Sequence, residues 1–230
     1  MKSILLIGPT TVGKTDIAIQ LAKKLNGEII NADKFYLYDG VKRITGVPAK
    51  HPKLKAHLYA ILNPNQECLT NQEYTKKVKE IEAEIKKRNK IPVIEGCYHQ
   101  FAKSLIKNAD SEYIIIGIKL FSETKLKRRI RNRINKVLFE DCGISEVKNG
   151  LKKGWRNTYI MSKGSWSKPI VDYLDQKITI EEAKDLAEEN TLRTAHKAYN
   201  KFIEIPNVKW FENKDRVVEN IIKYFEKKNT

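Results

Sequence analysis

"LLIGPTTVGKTD", Leu5–Asp16, decides the fold. Leu5–Ile7 is a short apolar run that reads as a buried strand. Lys14–Leu25 places Ile17, Leu21, Ala22 and Leu25 at helical spacing and reads as a helix. The turn between them, Gly8–Pro9–Thr10–Thr11–Val12–Gly13–Lys14–Thr15, matches G-x-x-x-x-G-K-[ST] with the strand before it and the helix after it. Gly8 and Gly13 let the backbone curl so that its N–H groups point inward, and the helix N-terminus adds partial positive charge. Lys14 neutralises phosphate oxygens, and the Thr15 hydroxyl suits Mg²⁺. Gly8, Pro9, Thr11, Val12, Gly13, Lys14 and Thr15 are therefore the expected diphosphate-binding residues. The loop specifies a diphosphate site, not a reaction.

Outward from the loop, Glu28–Ala32 reads as a second strand, followed by a polar stretch to about Leu69. Asn71–Arg88 is a charged helix. "KIPVIEG" is a strand ending at Glu95–Gly96, Gln100–Lys107 a helix, and "YIIIGIKL" (Tyr113–Leu120) a strong strand. Strands alternating with helices argue for an α/β fold, a P-loop NTPase-like parallel sheet flanked by helices. After Leu120 the character changes. Ser122–Leu138 is a basic helix, Ser145–Lys153 continues helical, and "KGWRNTYIMSKGSW" (Lys153–Trp166) reads as loop. Thr179–Phe202 is helical, with Thr179 and Glu182 forming a capping-box pattern. A short strand in "VKWFENKD" (Val208–Asp215) and a terminal helix close the chain. The expected organisation is one P-loop domain over 1–230, with 121–205 as a helical, basic lid on the acceptor side.

Composition bounds the function. The 230 residues are 41% hydrophobic and 31% charged, which is globular rather than disordered. No apolar run approaches the roughly 20 residues of a membrane helix. The N-terminal apolar run stops at Gly8–Pro9 without a small-residue cleavage site, so a cytoplasmic location is expected. Cys68, Cys97 and Cys142 are scattered, and the four histidines make no zinc motif. A net charge of +16 favours an anionic partner or reflects a lysine-rich solvated surface.

The second informative stretch is "IINADKFYLYDG", Ile29–Gly40. Asp33 sits at a strand end beside the loop, where ligand-facing residues gather in open α/β sheets. A carboxylate there binds ribose, holds a Mg²⁺ water, acts as a base or simply caps a turn; its chemistry alone leaves these open.

The segment Gly8–Gly40 resembles the isopentenyltransferase family, which moves a dimethylallyl group onto N6 of adenine. Gly8, Pro9, Thr10, Gly13, Lys14, Thr15, Asp33, Lys34 and Tyr38 match its motifs, whereas Tyr36 stands where the family usually has glutamine. "ITGVP" (Ile44–Pro48), "IPVIEG", Arg129 and Arg133 in "RRIRNRINKVL", and the stretch from Pro169 onward are similar to further family segments. The resemblance implies Asp33 as general base, with Thr10 and Lys14 as its catalytic companions. It implies Lys34, Tyr36, Thr45 and Gly96 as acceptor-binding residues, Arg129 and Arg133 on the diphosphate, and Mg²⁺ held through Thr15. Arg129 and Arg133 share a helix face opposite an apolar stripe of Leu126, Ile130, Ile134 and Val137. Seven cations lie between Lys125 and Lys136 with no acid. Lys50, Lys53 and Lys55 near His57 read as solvated loop or as an anion-attracting patch. Trp155 and Trp166 read as core or as walls of a prenyl pocket.

Two features bear on the acceptor. The chain passes from Ile106 to Tyr113 without the helical insertion of the tRNA-modifying enzymes, and Glu95–Gly96 is similar to the "LEGG" of the short adenylate-using ones. The expectation is therefore transfer from dimethylallyl diphosphate, or a hydroxylated analogue, to AMP, ADP or ATP, as in cytokinin synthesis. Gly164, where the adenylate enzymes carry aspartate, departs from that pattern. The alternatives are transfer to tRNA, with salt-sensitive RNA binding, a P-loop small-molecule kinase, and a non-catalytic nucleotide-binding module.

Overall fold

The strands are β1 (Ser3–Ile7), β2 (Gly27–Asn31), β3 (Ala56–His57), β4 (Ile91–Gly96), β5 (Tyr113–Ile118) and β6 (Lys209–Phe211). They come from a computed structural model that describes residues 1–46, 54–107, 113–140 and 142–229. β1 is buried at every position, as a continuous apolar strand must be, with neighbours on both edges and a layer on both faces. It pairs in parallel with β4 (Leu5 opposite Ile94) and with β5 (Leu5 opposite Ile115). The sheet order is β3-β2-β4-β1-β5-β6, with every pairing parallel.

The two-residue period of β1 divides the core. Ile4 and Leu6 face Ile17, Leu21 and Ala22 of α1 (Lys14–Lys24) and Val218, Ile221 and Phe225 of α10 (Val217–Asn229). Leu5 and Ile7 face Tyr74 and Val78 of α3 (Asn71–Lys87), Phe101 and Leu105 of α4 (His99–Lys107), and Phe202. Each fully buried Leu or Ile stabilises the fold by roughly 1.5–3 kcal/mol relative to exposure, so β1 is its anchor. α3 begins at a complete capping box, with Thr70 and Glu73 exchanging side-chain and backbone hydrogen bonds.

A second layer of helices packs beside the sheet: α2 (Lys42–Thr45), α5 (Glu123–Asn135), α6 (Gly143–Lys152), α7 (Tyr159–Lys163), α8 (Ser167–Leu174) and α9 (Ile180–Ile203). The stripe Leu126, Ile130, Ile134 and Val137 is buried as its spacing predicts. It meets Ala183, Ala187 and Ala195 of α9, whose small side chains let the helices approach closely. α9 starts at the capping box of Thr179 and Glu182. Trp155 is core: its ring lies 2.6 Å from where a Cβ on Gly40 would be.

Three local expectations are corrected. The basic helix ends as an α-helix at Asn135 and continues in one π-helical turn, Lys136–Glu140. Lys153–Trp166 is not all loop, because it holds a 3₁₀ turn (Trp155–Asn157) and α7. β3 is a two-residue strand inside a stretch that carries no strand pattern. Val47, Pro48, Lys50, Lys53 and the 108–112 link lie outside the described residues.

Candidate active site

The C-terminal ends of β1, β2 and β4 converge, and each delivers one part of the site. From β1 comes the phosphate loop. Gly8 (φ +147°) and Gly13 (φ +88°) hold conformations that favour glycine, and a Cβ on Gly8 would lie 2.7 Å from the Ile118 carbonyl oxygen. Val12 is fully buried and anchors the loop to the core. The Lys14 ammonium is buried and donates to the Pro9 carbonyl at 2.8 Å. Two side chains brace the outer wall of the loop. Arg129 Nε donates to the Thr11 carbonyl at 3.0 Å, and Asn213 Nδ2 to the Val12 carbonyl at 2.6 Å. Asn213 carries no motif and was not expected here; only the packing of β6 beside β5 brings it to the loop.

From β2 comes Asp33, which is 7% exposed. Its Oδ1 accepts the Phe35 N–H at 3.0 Å, and its Oδ2 accepts the Cys97 thiol at 2.6 Å. Burial, reinforced by the Asp33 charge, pushes the Cys97 thiol well up, so it stays a neutral donor. The chain after Asp33 turns through a 3₁₀ segment, Phe35–Leu37. Tyr36 lines the same cavities as Asp33. Lys34, expected on the acceptor, lines neither of the cavities that Asp33 and Tyr36 share, but a different one. Its ammonium lies 4.1 Å from the Tyr159 ring centre and 5.7 Å from that of Tyr98, lining a separate pocket with Tyr38 and Cys68.

From β4 come Glu95 and Gly96. Gly96 binds no ligand through a side chain; it permits contact, since a Cβ there would fall 2.1 Å from the Ala32 carbonyl carbon. Glu95 is 1% exposed and its Oε1 accepts from the Tyr59 hydroxyl at 2.8 Å and the Thr15 hydroxyl at 3.3 Å. Burial raises its carboxyl above the ordinary range, while Lys14, Tyr59 and Thr15 pull it back.

Two cavities meet on this platform. A polar cleft of about 670 Å³ is lined by Lys14, Thr15, Glu95, Arg129 and Lys136 among others. A narrow pocket of about 80 Å³ is lined by Phe35, Ile44, Thr45, Ile160, Trp166 and Thr191 among others. Thr10, Asp33, Tyr36, Cys97 and Arg133 line both and so form the wall between them. Arg133 Nη2 donates to the Gly46 carbonyl at 3.1 Å, and its guanidinium lies 5.2 Å from the Trp166 ring centre. Tyr36 stacks on Tyr59 at 6.0 Å, and burial raises its hydroxyl well above the ordinary range against the pull of Arg133. Trp166 thus faces the pocket while its Nε1 donates to Thr191 Oγ1 at 2.8 Å. The Thr45 hydroxyl is used within α2, donating to the Val41 carbonyl at 2.8 Å. His57 pairs with Glu28 at 2.7 Å, away from the cleft.

A phosphate loop, a buried carboxylate across the cleft and an apolar pocket behind it define a group-transferring enzyme that handles a diphosphate. The isopentenyl transferase family model matches residues 1–205, and the chain belongs to that family of prenyl-transferring enzymes. It is 26% identical over 302 aligned positions to a Carboxydothermus hydrogenoformans protein named tRNA dimethylallyltransferase, covering 96% of each chain. A Pelagibacter ubique protein of the same name is 40% identical over 135 residues, 58% of this chain and 40% of that protein. The fold is shared with a Staphylococcus epidermidis tRNA isopentenylpyrophosphate transferase (TM-score 0.87, 20% identity, all of both chains). It is also shared with a eukaryotic dimethylallyltransferase acting on tRNA (TM-score 0.82, 17% identity, all of this chain and 80% of that one).

These relatives overturn the expectation of an adenylate acceptor and cytokinin synthesis, and the family match sets aside the kinase. The alignment to the first relative runs to 302 positions against a chain of 230 residues, so more than seventy positions face a gap here. A shortened body therefore coexists with similarity along 96% of both chains. Glu95, the residue that carries the likeness to the adenylate-using enzymes, is tied to Thr15 and Tyr59 beside the phosphate loop. At Gly164 a Cβ would fall 2.2 Å from Ser167 Oγ and 2.6 Å from the Ile160 carbonyl oxygen, which leaves no room for the aspartate of the adenylate pattern. Among the described residues no helix is long and apolar enough to cross a membrane.

Proposed function

We propose that this protein transfers a dimethylallyl group from dimethylallyl diphosphate to N6 of an adenine in tRNA. The observation that carries the acceptor is the similarity, along 96% of both chains, to a protein named tRNA dimethylallyltransferase. The charge of +16 suits a polyanionic partner.

In this reading the diphosphate lies in the polar cleft, held by the loop N–H groups, Lys14, Arg129 and Arg133. At the loop end the Thr15 hydroxyl lies beside the Glu95 carboxylate, and oxygen ligands of this kind suit a hard cation. The Thr15 hydroxyl would hold Mg²⁺ there, and the ion would supply charge stabilisation to the departing diphosphate. The allylic C1 sits at the shared wall by Thr10 and Asp33, and the adenine edge enters from the narrow pocket. The C1–O bond breaks, the N6–C1 bond forms, and Asp33 accepts the N6 proton. Each Asp33 oxygen has a second lone pair beyond the Phe35 and Cys97 hydrogen bonds. Those two donors fix the orientation of the carboxylate. Because an exocyclic adenine amine is a poor nucleophile, positioning dominates; well-oriented pairs gain up to roughly 7–11 kcal/mol.

The test is transfer of radiolabel from dimethylallyl diphosphate to an unmodified tRNA transcript, with and without ATP. ATP-independent labelling of the tRNA is expected. Labelling that requires ATP, or phosphate transfer from ATP, would refute the reading.

A further inference from the structure

Glu95 is a buried carboxylate that the transfer mechanism above does not use. It stands at the C-terminal end of β4, the strand hydrogen-bonded to the one that feeds the phosphate loop. Both hydrogen bonds it receives, from Tyr59 and Thr15, fall on Oε1. Among the described residues nothing donates to Oε2, and Glu95 lines the polar cleft beside Lys14 and Thr15. A buried carboxylate is costly unless its charge is used. Lys14 is the nearby cation, but its ammonium donates to the Pro9 carbonyl. Tyr59, stacked on Tyr36, fixes the carboxylate by one oxygen and leaves the other toward the cleft. Magnesium is typically held by one or two protein oxygens plus substrate phosphates. A carboxylate within hydrogen-bond reach of the loop threonine is such a set.

We propose that Glu95 is the protein carboxylate that, with the Thr15 hydroxyl, holds the divalent cation accompanying the diphosphate. This rests on the donor half of the proposed reaction and is independent of the acceptor. It assigns Glu95 to metal binding and Asp33 to the proton, so the two carboxylates of the cleft have separable roles.

The test is Mn²⁺ binding, followed by electron paramagnetic resonance, with inorganic pyrophosphate as the probe. Glu95→Gln keeps an oxygen for Tyr59 and Thr15 while removing the charge. Its Mn²⁺ affinity in the presence of pyrophosphate is expected to fall at least tenfold, with metal-free pyrophosphate affinity within about threefold of wild type, because Lys14 and the loop amides are intact. Glu95→Asp, which keeps the charge on a shorter arm, is expected to fall between the two and serves if the Gln variant does not fold. Mn²⁺ affinity within twofold of wild type in a folded Gln variant, or in the Asp variant if only that folds, would overturn the assignment. A wild-type protein that binds no pyrophosphate would overturn the donor reading and this assignment with it. Failure to modify tRNA, with metal and pyrophosphate binding as expected, would refute only the acceptor.

Discussion

Gly96→Ala is the sharpest structural perturbation of the site, because it adds one methyl where two strand ends nearly touch. The new Cβ would lie 2.1 Å from the Ala32 carbonyl carbon, 2.2 Å from its oxygen and 2.7 Å from its Cα, all backbone atoms with no rotamer to escape into. Ordinary carbon contacts sit near 3.5–4.0 Å, so the ends of β2 and β4 must part by more than about 1 Å. The hydrogen bond from Ala32 N–H to the Glu95 carbonyl, 2.7 Å long, spans the same junction and lengthens with it. Overpacking of this kind costs about 1–3 kcal/mol. For a chain of this size that is a fall in Tm of roughly 3–10 °C. Asp33 follows Ala32 directly and is carried away from the cleft. A displacement near 1 Å costs about 10²-fold in rate. Pyrophosphate binding depends on the loop after β1 and changes little. The assay pairs thermal unfolding with single-turnover prenyl transfer and pyrophosphate titration. A variant with wild-type Tm and rate would refute the claim that contact between the strand ends sets the position of Asp33.

Four further outcomes are expected. Asp33→Ala should lower transfer by about 10²–10⁴-fold while pyrophosphate affinity by calorimetry is retained; loss of both would make Asp33 structural. Arg133→Ala should lower kcat/KM for dimethylallyl diphosphate about 10–100-fold, the size of a lost charge-assisted hydrogen bond, and Arg133→Lys should recover only part of it. Affinity for tRNA should fall steeply with salt, by about 0.7–0.9 log units per log unit for each phosphate contact; a flat dependence in a filter-binding series would contradict tRNA as the polyanionic partner. Far from the site, burial alone would raise Glu28, but hydrogen bonds from Arg88, His57 and Lys90 outweigh it and hold the carboxyl down to about 2, against an ordinary 4.5. A depressed folded-state pKa contributes stability that is complete above the unfolded value and is lost as pH falls through the folded one. Urea unfolding should therefore show a loss of about 2–3 kcal/mol between roughly pH 5 and pH 2, absent in Glu28→Gln.

What was legible in the sequence was local. The phosphate loop, the amphipathic stripe of α5 and the Thr179 capping box are each written within a few residues, and the structure reproduces them. The order of the strands was not, because pairing β1 between β4 and β5 depends on contacts about ninety to a hundred and ten residues apart. The bracing by Asn213 was hidden for the same reason. The direction of the Lys34 side chain is not legible either, because a motif gives spacing but not the course of the chain into a 3₁₀ turn. Glu95 carries a second signal besides the family likeness, because a strand end beside the loop is where ligand-facing residues gather in open α/β sheets. The adenylate expectation rests on a missing segment, and the relatives overturn it. A loss of chain length does not specify what binds the remaining surface.

The most direct test of the central claim is a competition. Purified protein, Mg²⁺ and dimethylallyl diphosphate are given unmodified tRNA, AMP, ADP and ATP together, and the products are read by mass spectrometry after nuclease digestion. The account predicts a dimethylallyl group replacing one proton on an adenosine from the tRNA, with the free nucleotides unchanged. Prenylated AMP, ADP or ATP, with unmodified tRNA, would contradict it.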